Sequence, residues 1–249
     1  NIDGSVRFDS GTAAGSYAGA AQSEFDMNGD GVIHQIETSV SKVNNADASN
    51  VNYDWNYVSY SLGANLQIND DLASFARISR GATANADRLA FGKIDSSGVA
   101  REEDIYDEVD QIELGVKFRQ DELSIFATAF FAQTQEQNFE ATSQKFFDRE
   151  YESKGIEVES TYYIGNFDVR ANATWTDSEI TKDVINPTVV GNTPRRQADL
   201  VYSITGRHNF DEGSVGANII GTTDSYAQDG IDQDDPDALK LDGYVQVNA

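Results

Sequence analysis

Four oxygen-bearing side chains, Asp26, Asn28, Asp30 and Glu37, have the spacing in this chain that points most directly to chemistry. They sit in Asp26-Met27-Asn28-Gly29-Asp30-Gly31-Val32-Ile33-His34-Gln35-Ile36-Glu37, at the first, third, fifth and twelfth places. Such spacing can converge three side chains on one ion. Gly31 permits the sharp turn, Val32 offers its carbonyl and Glu37 offers both carboxylate oxygens. An all-oxygen set of this kind suits a hard cation, and the metal expected is Ca²⁺, bound by Asp26, Asn28, Asp30, Val32 and Glu37. A fortuitous acidic loop is the alternative. Gly15 to Ala21 is small and flexible and no second loop follows, so the expected role is structural: stiffening an exposed loop whose carboxylates otherwise repel.

Other chemistry is largely excluded. The chain has no cysteine, so thiolate nucleophiles, thiolate metal sites and disulfides are impossible. His34 and His208 are its two histidines and lie far apart in sequence. Serine-hydrolase elbows, phosphate-binding glycine loops, zinc-protease motifs and dinucleotide fingerprints are missing, and no enzyme is expected. Glu157 and Glu159 share one strand face and read as lining residues of a wet interior. Lys and Arg total 18 against 42 Asp and Glu, a formal charge of -24, which repels nucleic acid. The acidic groups Arg101-Glu102-Glu103-Asp104 and Asp229, Asp232, Asp234, Asp235, Asp237 read as solvated loop charge. A second cation site at Asp232–Asp237 is the alternative for the latter.

Strands must position all of this. Mean hydropathy is -0.50, and no run approaches the roughly 18 apolar residues of a membrane helix. Strict alternation recurs instead: Ile112, Leu114, Val116, Phe118 against Gln111, Glu113, Lys117, Arg119, and Phe167, Val169, Ala171, Ala173, Trp175 against Asp168, Arg170, Asn172, Thr174. Period two means strands with one greasy and one polar face. The pattern predicts about ten strands, near 2–8, 53–68, 72–80, 109–119, 123–136, 151–163, 167–178, 195–206, 214–226 and 241–249. Tight turns at Asn69-Asp70-Asp71, Gln120-Asp121-Glu122, Ile164-Gly165-Asn166 and His208–Gly213 alternate with long links at 9–52, 81–108, 137–150, 179–194 and 227–240. Short turns at one end and long loops at the other are the habit of antiparallel outer-membrane barrels. Phe118, Tyr162, Tyr163, Phe167 and Phe210 lie beside the short turns, and Trp55, Tyr57, Tyr151, Trp175 and Tyr226 near the long links, as two interfacial belts would.

Several segments then resemble the C-terminal barrel of TonB-dependent receptors. They are Tyr60–Leu72 followed by Phe75-Ala76-Arg77-Ile78-Ser79-Arg80-Gly81, Glu113–Lys117 with Leu123–Phe131, Ser153-Lys154-Gly155-Ile156-Glu157-Val158-Glu159, Asn192–Arg196, and Leu241-Asp242-Gly243-Tyr244. The resemblance covers most of the chain from Val51 onward. It implies an all-β fold, an antiparallel transmembrane β-barrel fragment of about ten strands from a larger, 22-strand type of barrel. On that expectation residues 1–249 are part of one barrel. Residues 9–52 form a long extracellular loop carrying an EF-hand-like calcium loop at 26–37, and a plug with its TonB box lies upstream. The implied function is uptake of a scarce small molecule such as a ferric siderophore, cobalamin or an oligosaccharide across a Gram-negative outer membrane. The implied partners are outer-membrane lipid and the TonB complex, reached through the plug, with no nucleic acid. Arg77, Lys117, Arg119, Arg170 and Asp199 are expected along the solute's path. The alternatives are a porin, an autotransporter barrel, or a secreted calcium-binding β-domain adhesin.

Overall fold

A computed structural model of the protein describes residues 1–18, 20–43, 45–84, 106–140, 145–184, 186–230, 232, 233, 235 and 238–249. In chain order its strands are β1 (Ile2–Tyr17), β2 (Ala20–Ser23), β3 (Val40–Val43), β4 (Ser49–Gln67), β5 (Leu72–Ala84), β6 (Tyr106–Gln120) and β7 (Leu123–Glu140). β8 (Lys145–Ile164), β9 (Phe167–Asp183), β10 (Leu200–Phe210), β11 (Gly213–Thr222), β12 (Ser225–Tyr226), β13 (Lys240–Leu241) and β14 (Tyr244–Asn248) follow. Ten of them form one sheet in the order β1-β4-β5-β6-β7-β8-β9-β10-β11-β14. The pairs β2–β3 and β12–β13 stand apart from it. The chain divides into two compact units, one of Asn1–Phe8, Val58–Thr83 and Asp107–Ala249, the other of Asp9–Tyr57 and Ala84–Tyr106.

In the first unit, two-residue turns at 121–122, 165–166 and 211–212 join successive strands. Asp121 and Gly165 take positive φ there, as tight hairpins demand. The same bond recurs beyond three successive turns: Arg119 N–H donates to the Asp71 carbonyl (2.8 Å), Tyr163 N–H to Glu122 (3.0 Å) and Asn209 N–H to Asn166 (2.8 Å). Each hairpin therefore slides past its neighbour by the same step. One ladder runs Phe118↔Ile125↔Ser160↔Ala171↔Ile204↔Ile219. Along it Ile125 stands two residues from the turn end of its strand, Ser160 four and Ile204 six. One residue per strand is a climb of about 3.3 Å for every 4.8 Å across the sheet, a tilt of about 35°. Strands of outer-membrane barrels tilt by about 35–45°.

Register places every greasy set on one face. Leu62 faces Ile78, and one ladder joins Leu114, Ala129, Ile156, Trp175 and Leu200. Ile219 faces Val247. Leu114 is 58% exposed, Ile156 49% and Val247 66%, and the buried apolar side chains among the described residues are Tyr53, Ile180 and Val189 alone. No second sheet covers this face among the described residues, so a dry sandwich core is not what the alternation builds.

Charge returns to the greasy face at a fixed height. Arg80 pairs with Asp110 (2.5 Å) and Lys154 with Asp177 (3.0 Å), all eight to ten residues from the short-turn ends of their strands. Below them runs an uncharged stretch of about nine residues per strand. It is about 27 Å long and, at the derived tilt, about 22 Å high, close to the roughly 25 Å band of a membrane barrel.

Two expectations change. The stretch 9–52 contains paired strand: β1 continues to Tyr17, β2 pairs with β3, and β4 begins at Ser49. Likewise 137–150 is mostly strand, with pairs from Gln135↔Glu150 to Glu140↔Lys145. Backbone pairing persists beyond the greasy stretch, where nothing compels side chains to alternate.

The two faces give a direct test. Ala129→Arg should weaken folding into lipid vesicles by about 2–4 kcal/mol, whereas Thr128→Arg, one residue away and opposite Glu157 on the polar face, should be tolerated. Denaturant titration in vesicles with heat-modifiable gel mobility measures both.

Candidate functional site

The polar face is built by the alternate residues of the same strands. Arg77 lies opposite Gly63, and Arg170 between Thr161 and Thr205. Lys117 lies opposite Phe126, with its ammonium 5.0 Å from the Phe75 ring. Arg119 Nε donates to Ser124 Oγ (3.3 Å). Asp199 precedes β10, and its carbonyl accepts the Thr176 N–H (2.8 Å). Glu157 and Glu159 share this face, flanked by Thr128 and Thr174, and by Phe126 and Asn172. The Phe75 and Phe130 rings occupy the space beside Gly115 and Gly155, where any Cβ would collide with them. An ion pair not foreseen in the sequence closes the short-turn end. Asp168, 3% exposed, accepts from Arg207 Nη2 (2.7 Å), Arg207 Nε (2.9 Å) and Asn209 Nδ2 (3.2 Å). The β9–β10 register alone brings Asp168 opposite Arg207.

At the other end, the described residues of 184–199 and 223–243 are tied to β8 by a buried charge cluster. Arg149 pairs through Nε with Asp183 and through Nη1 with Asp229 (2.6 Å), and all three side chains are almost fully buried. The second Asp229 oxygen takes the Arg195 N–H (2.5 Å), and its backbone carbonyl takes Asn192 Nδ2 (2.7 Å). Gln233 exchanges two hydrogen bonds with the Thr193 backbone, each 2.8 Å, and Ile180 and Val189 are fully buried nearby in the chain. The acidic run around Asp229 predicts a solvated carboxylate; it is instead a buried strut, because arginines distant in sequence neutralise it. Asp232 and Asp235 belong to a turn closed by Asp235 N–H to the Asp232 carbonyl (3.3 Å). Asp234, Asp237 and the group at 101–104 lie outside the described residues.

The acidic loop belongs to the second unit. Gly29 and Gly31 take φ of 73° and 83° and turn the chain so that their N–H groups donate to the two oxygens of Asp26, each at 2.7 Å. Asn28 Nδ2 bonds Asp30 Oδ2 (3.0 Å), which also meets His34 Nε2 (2.9 Å). Val32 donates its N–H to Asp30 Oδ1 (2.8 Å). Glu37, 2% exposed, accepts Met27 N–H and His34 N–H, one on each oxygen at 2.9 Å. Backbone donors, the Gly31 N–H foremost, hold the Asp26 carboxyl below the usual carboxylate range. The hydrogen bond to His34, then that from Val32, does the same for Asp30. The loop thus brings Asp26, Asn28 and Asp30 to one turn. Among the described residues no three acidic or histidine side chains are gathered about one point.

Aromatics divide by face. Phe118, Tyr162, Phe167, Phe210 and Trp175 have the parity of the greasy set, so these fit interfacial belts. Tyr163 has the parity of the polar set. Trp55 and Tyr57 share the parity of Ser59 and Ser61 on β4, which is also the polar one.

A ten-stranded tilted sheet with one uncharged greasy band and one polar face defines an outer-membrane type of β-barrel wall. The family model described as TonB dependent receptor-like, beta-barrel, matches residues 2–249. The chain belongs to that family, whose members are outer-membrane transporters rather than enzymes. Solved structures agree in fold. The ferric yersiniabactin uptake receptor FyuA from Yersinia pestis is 15% identical with a TM-score of 0.64, over 99% of this chain and 34% of that one. The ferric-catecholate import receptor Fiu from E. coli K12 in its closed form is 14% identical with a TM-score of 0.66, over 98% and 34%. The copper transporter OprC is 14% identical with a TM-score of 0.66, over 99% and 36%. This chain therefore spans about a third of each. No curated protein sequence matches it. The family match is to neither a porin, an autotransporter nor a soluble adhesin.

Removing Asp229 should leave the buried Arg149 with Asp183 as its remaining carboxylate and deprive the Arg195 N–H of its acceptor. Asp229→Ala is expected to cost about 1–3 kcal/mol in local stability. Hydrogen exchange at the amides of Thr193, Arg195 and Arg196 should accelerate while that of β10 and β11 holds.

Proposed function

We propose that the protein carrying this chain is a TonB-dependent uptake receptor that binds a scarce solute and admits it across the outer membrane under energy supplied through TonB. Candidate solutes are a ferric siderophore, cobalamin or an oligosaccharide. The supporting observation is a wall whose greasy face is uncharged over one uniform height while its other face carries Arg77, Lys117, Glu157 and Arg170. On this reading the 184–199 and 223–243 segments face outward, braced by Arg149, and the short turns face the periplasm. An upstream plug couples the barrel to TonB. Uptake of a labelled solute panel by cells making the full-length receptor should require the proton-motive force and an intact TonB. Equal flux in de-energised cells would argue for a passive pore and against the proposal.

The 26–37 loop carries a second proposal, that it binds Ca²⁺ for structural order. The twelve-residue spacing, the positive φ of Gly31 and the turn joining Asp26, Asn28 and Asp30 support it. Glu37 would have to exchange its two backbone donors for the ion. Calorimetric titration of the full-length receptor should show saturable Ca²⁺ binding that Glu37→Gln abolishes. Asp26 and Asp30 have depressed proton affinities, so their contribution is complete above the ordinary carboxylate range and disappears on acidification through the depressed values. Ca²⁺ affinity should fall in the same direction. Absence of heat at millimolar Ca²⁺ near neutral pH would sink this proposal.

A further inference from the structure

The greasy face of the first unit is not even: a groove of about 730 Å³ crosses it from β1 to β8. Ala64, Ser74, Ala76, Ala127 and Ala129 keep it shallow-walled, and Leu66, Leu114, Val116 and Ile156 stand up along it, with Ile2 at its β1 end. Those on β4 to β8 share the greasy parity, and no charged side chain lines the groove. It climbs as it crosses the wall. Leu66 lies one residue from the short-turn end of its strand, Ser74 two, Ala127 four, Leu114 six and Ile156 eight. At the tilt of the wall, the six residues gained from Ser74 to Ile156 are a rise of about 16 Å, close to the roughly 15 Å that one leaflet adds to a 30 Å hydrocarbon core. The groove therefore runs obliquely from the short-turn edge of the greasy band up into it. A stiff second barrel would bridge such a trough and touch little of it, whereas a flexible hydrocarbon chain can follow it and contact its length.

Charge at the low end of the groove narrows the head group. The β4–β5 turn, Asn69-Asp70-Asp71, and the β6–β7 turn, with Asp121 and Glu122, carry four carboxylates and no cation. Asn69 Oδ1 closes its own turn by accepting the Asp71 and Leu72 N–H groups, each at 2.9 Å. The Asp70 and Asp71 carboxylates take no part in that closure and have no ion-pair partner among the described residues. Lys117 and Arg119, the cations nearest these turns in sequence, have the polar parity, and Arg119 donates to Ser124 there. A purely anionic lipid head meets repulsion at this edge, while a head bearing an ammonium is attracted to it.

We propose that the groove seats an acyl chain of a phospholipid from the leaflet on the short-turn side, with its ammonium-bearing head at Asp70 and Asp71. This site belongs to the membrane wall and is independent of which solute the receptor takes up. Native mass spectrometry of the full-length receptor in detergent, supplied with equimolar phosphatidylethanolamine and phosphatidylglycerol of identical acyl chains, tests it. Phosphatidylethanolamine should be retained over phosphatidylglycerol by about threefold or more. Ala76→Phe, which fills the groove, should cut that retention about fivefold or more. Ala171→Phe, on the greasy face of β9 and outside the groove, should leave it unchanged. Asp70→Asn combined with Asp71→Asn should abolish the preference between heads while a lipid still binds. If Ala76→Phe fails to give the heat-modifiable folded band, Ala127→Leu serves the same comparison. The proposal is overturned if the parent retains both lipids alike, if filling the groove changes nothing, or if the parent forms lipid-free dimers that Ala76→Phe disperses.

Discussion

Backbone polarity in an apolar solvent is the constraint on which this architecture depends. An amide left unpaired in hydrocarbon costs several kcal/mol, so a strand can enter a bilayer only if neighbours on both sides complete its hydrogen bonds. The continuous antiparallel ladder from β4 to β11 does this for every interior strand. Once the ladder is compulsory, period-two alternation sorts side chains without further instruction. Leu114, Ile156 and Trp175 fall to one side, while Glu157, Arg170 and Asn172 fall to the other. Stability then needs no dry core, which explains how a chain with three buried apolar side chains among its described residues can be ordered.

The same logic explains what the sequence disclosed. Alternation and turn chemistry are local, so strand number, face assignment and the sorting of turns were readable from runs such as Gln111–Arg119 and turns such as Gly165-Asn166. The upper limits of the strands were not. Beyond Arg80 and Lys154 no lipid enforces alternation, and β7, β8 and β4 continue on backbone pairing that leaves no mark in hydropathy.

Non-local electrostatics were hidden for a different reason. Asp229 sits in a locally acidic run, and composition alone assigns it to solvent. Its partner Arg149 is 80 residues away and reaches it only because β8 and the 223–243 segment meet. Asp168 and Arg207 depend in the same way on a register that no single strand encodes. The calcium-like spacing was legible because all its donors lie within one loop. The distribution of their hydrogen bonds, with Glu37 taken up by two backbone amides, emerged only from the folded loop. Trp55 and Tyr57 read from sequence as belt residues near a strand end, but that position says nothing about parity, and the register turns them to the polar face.

The ionic edge formed by Arg80–Asp110 and Lys154–Asp177 acts as a waterline. Because its four residues stand eight to ten positions from the short-turn ends of β5, β6, β8 and β9, it sets the depth at which that part of the wall rides in a bilayer. A thicker hydrocarbon layer would submerge paired charges, and the lipid would have to thin around the protein instead. This stretch of wall therefore fits a thinner hydrocarbon layer at less cost than a thicker one.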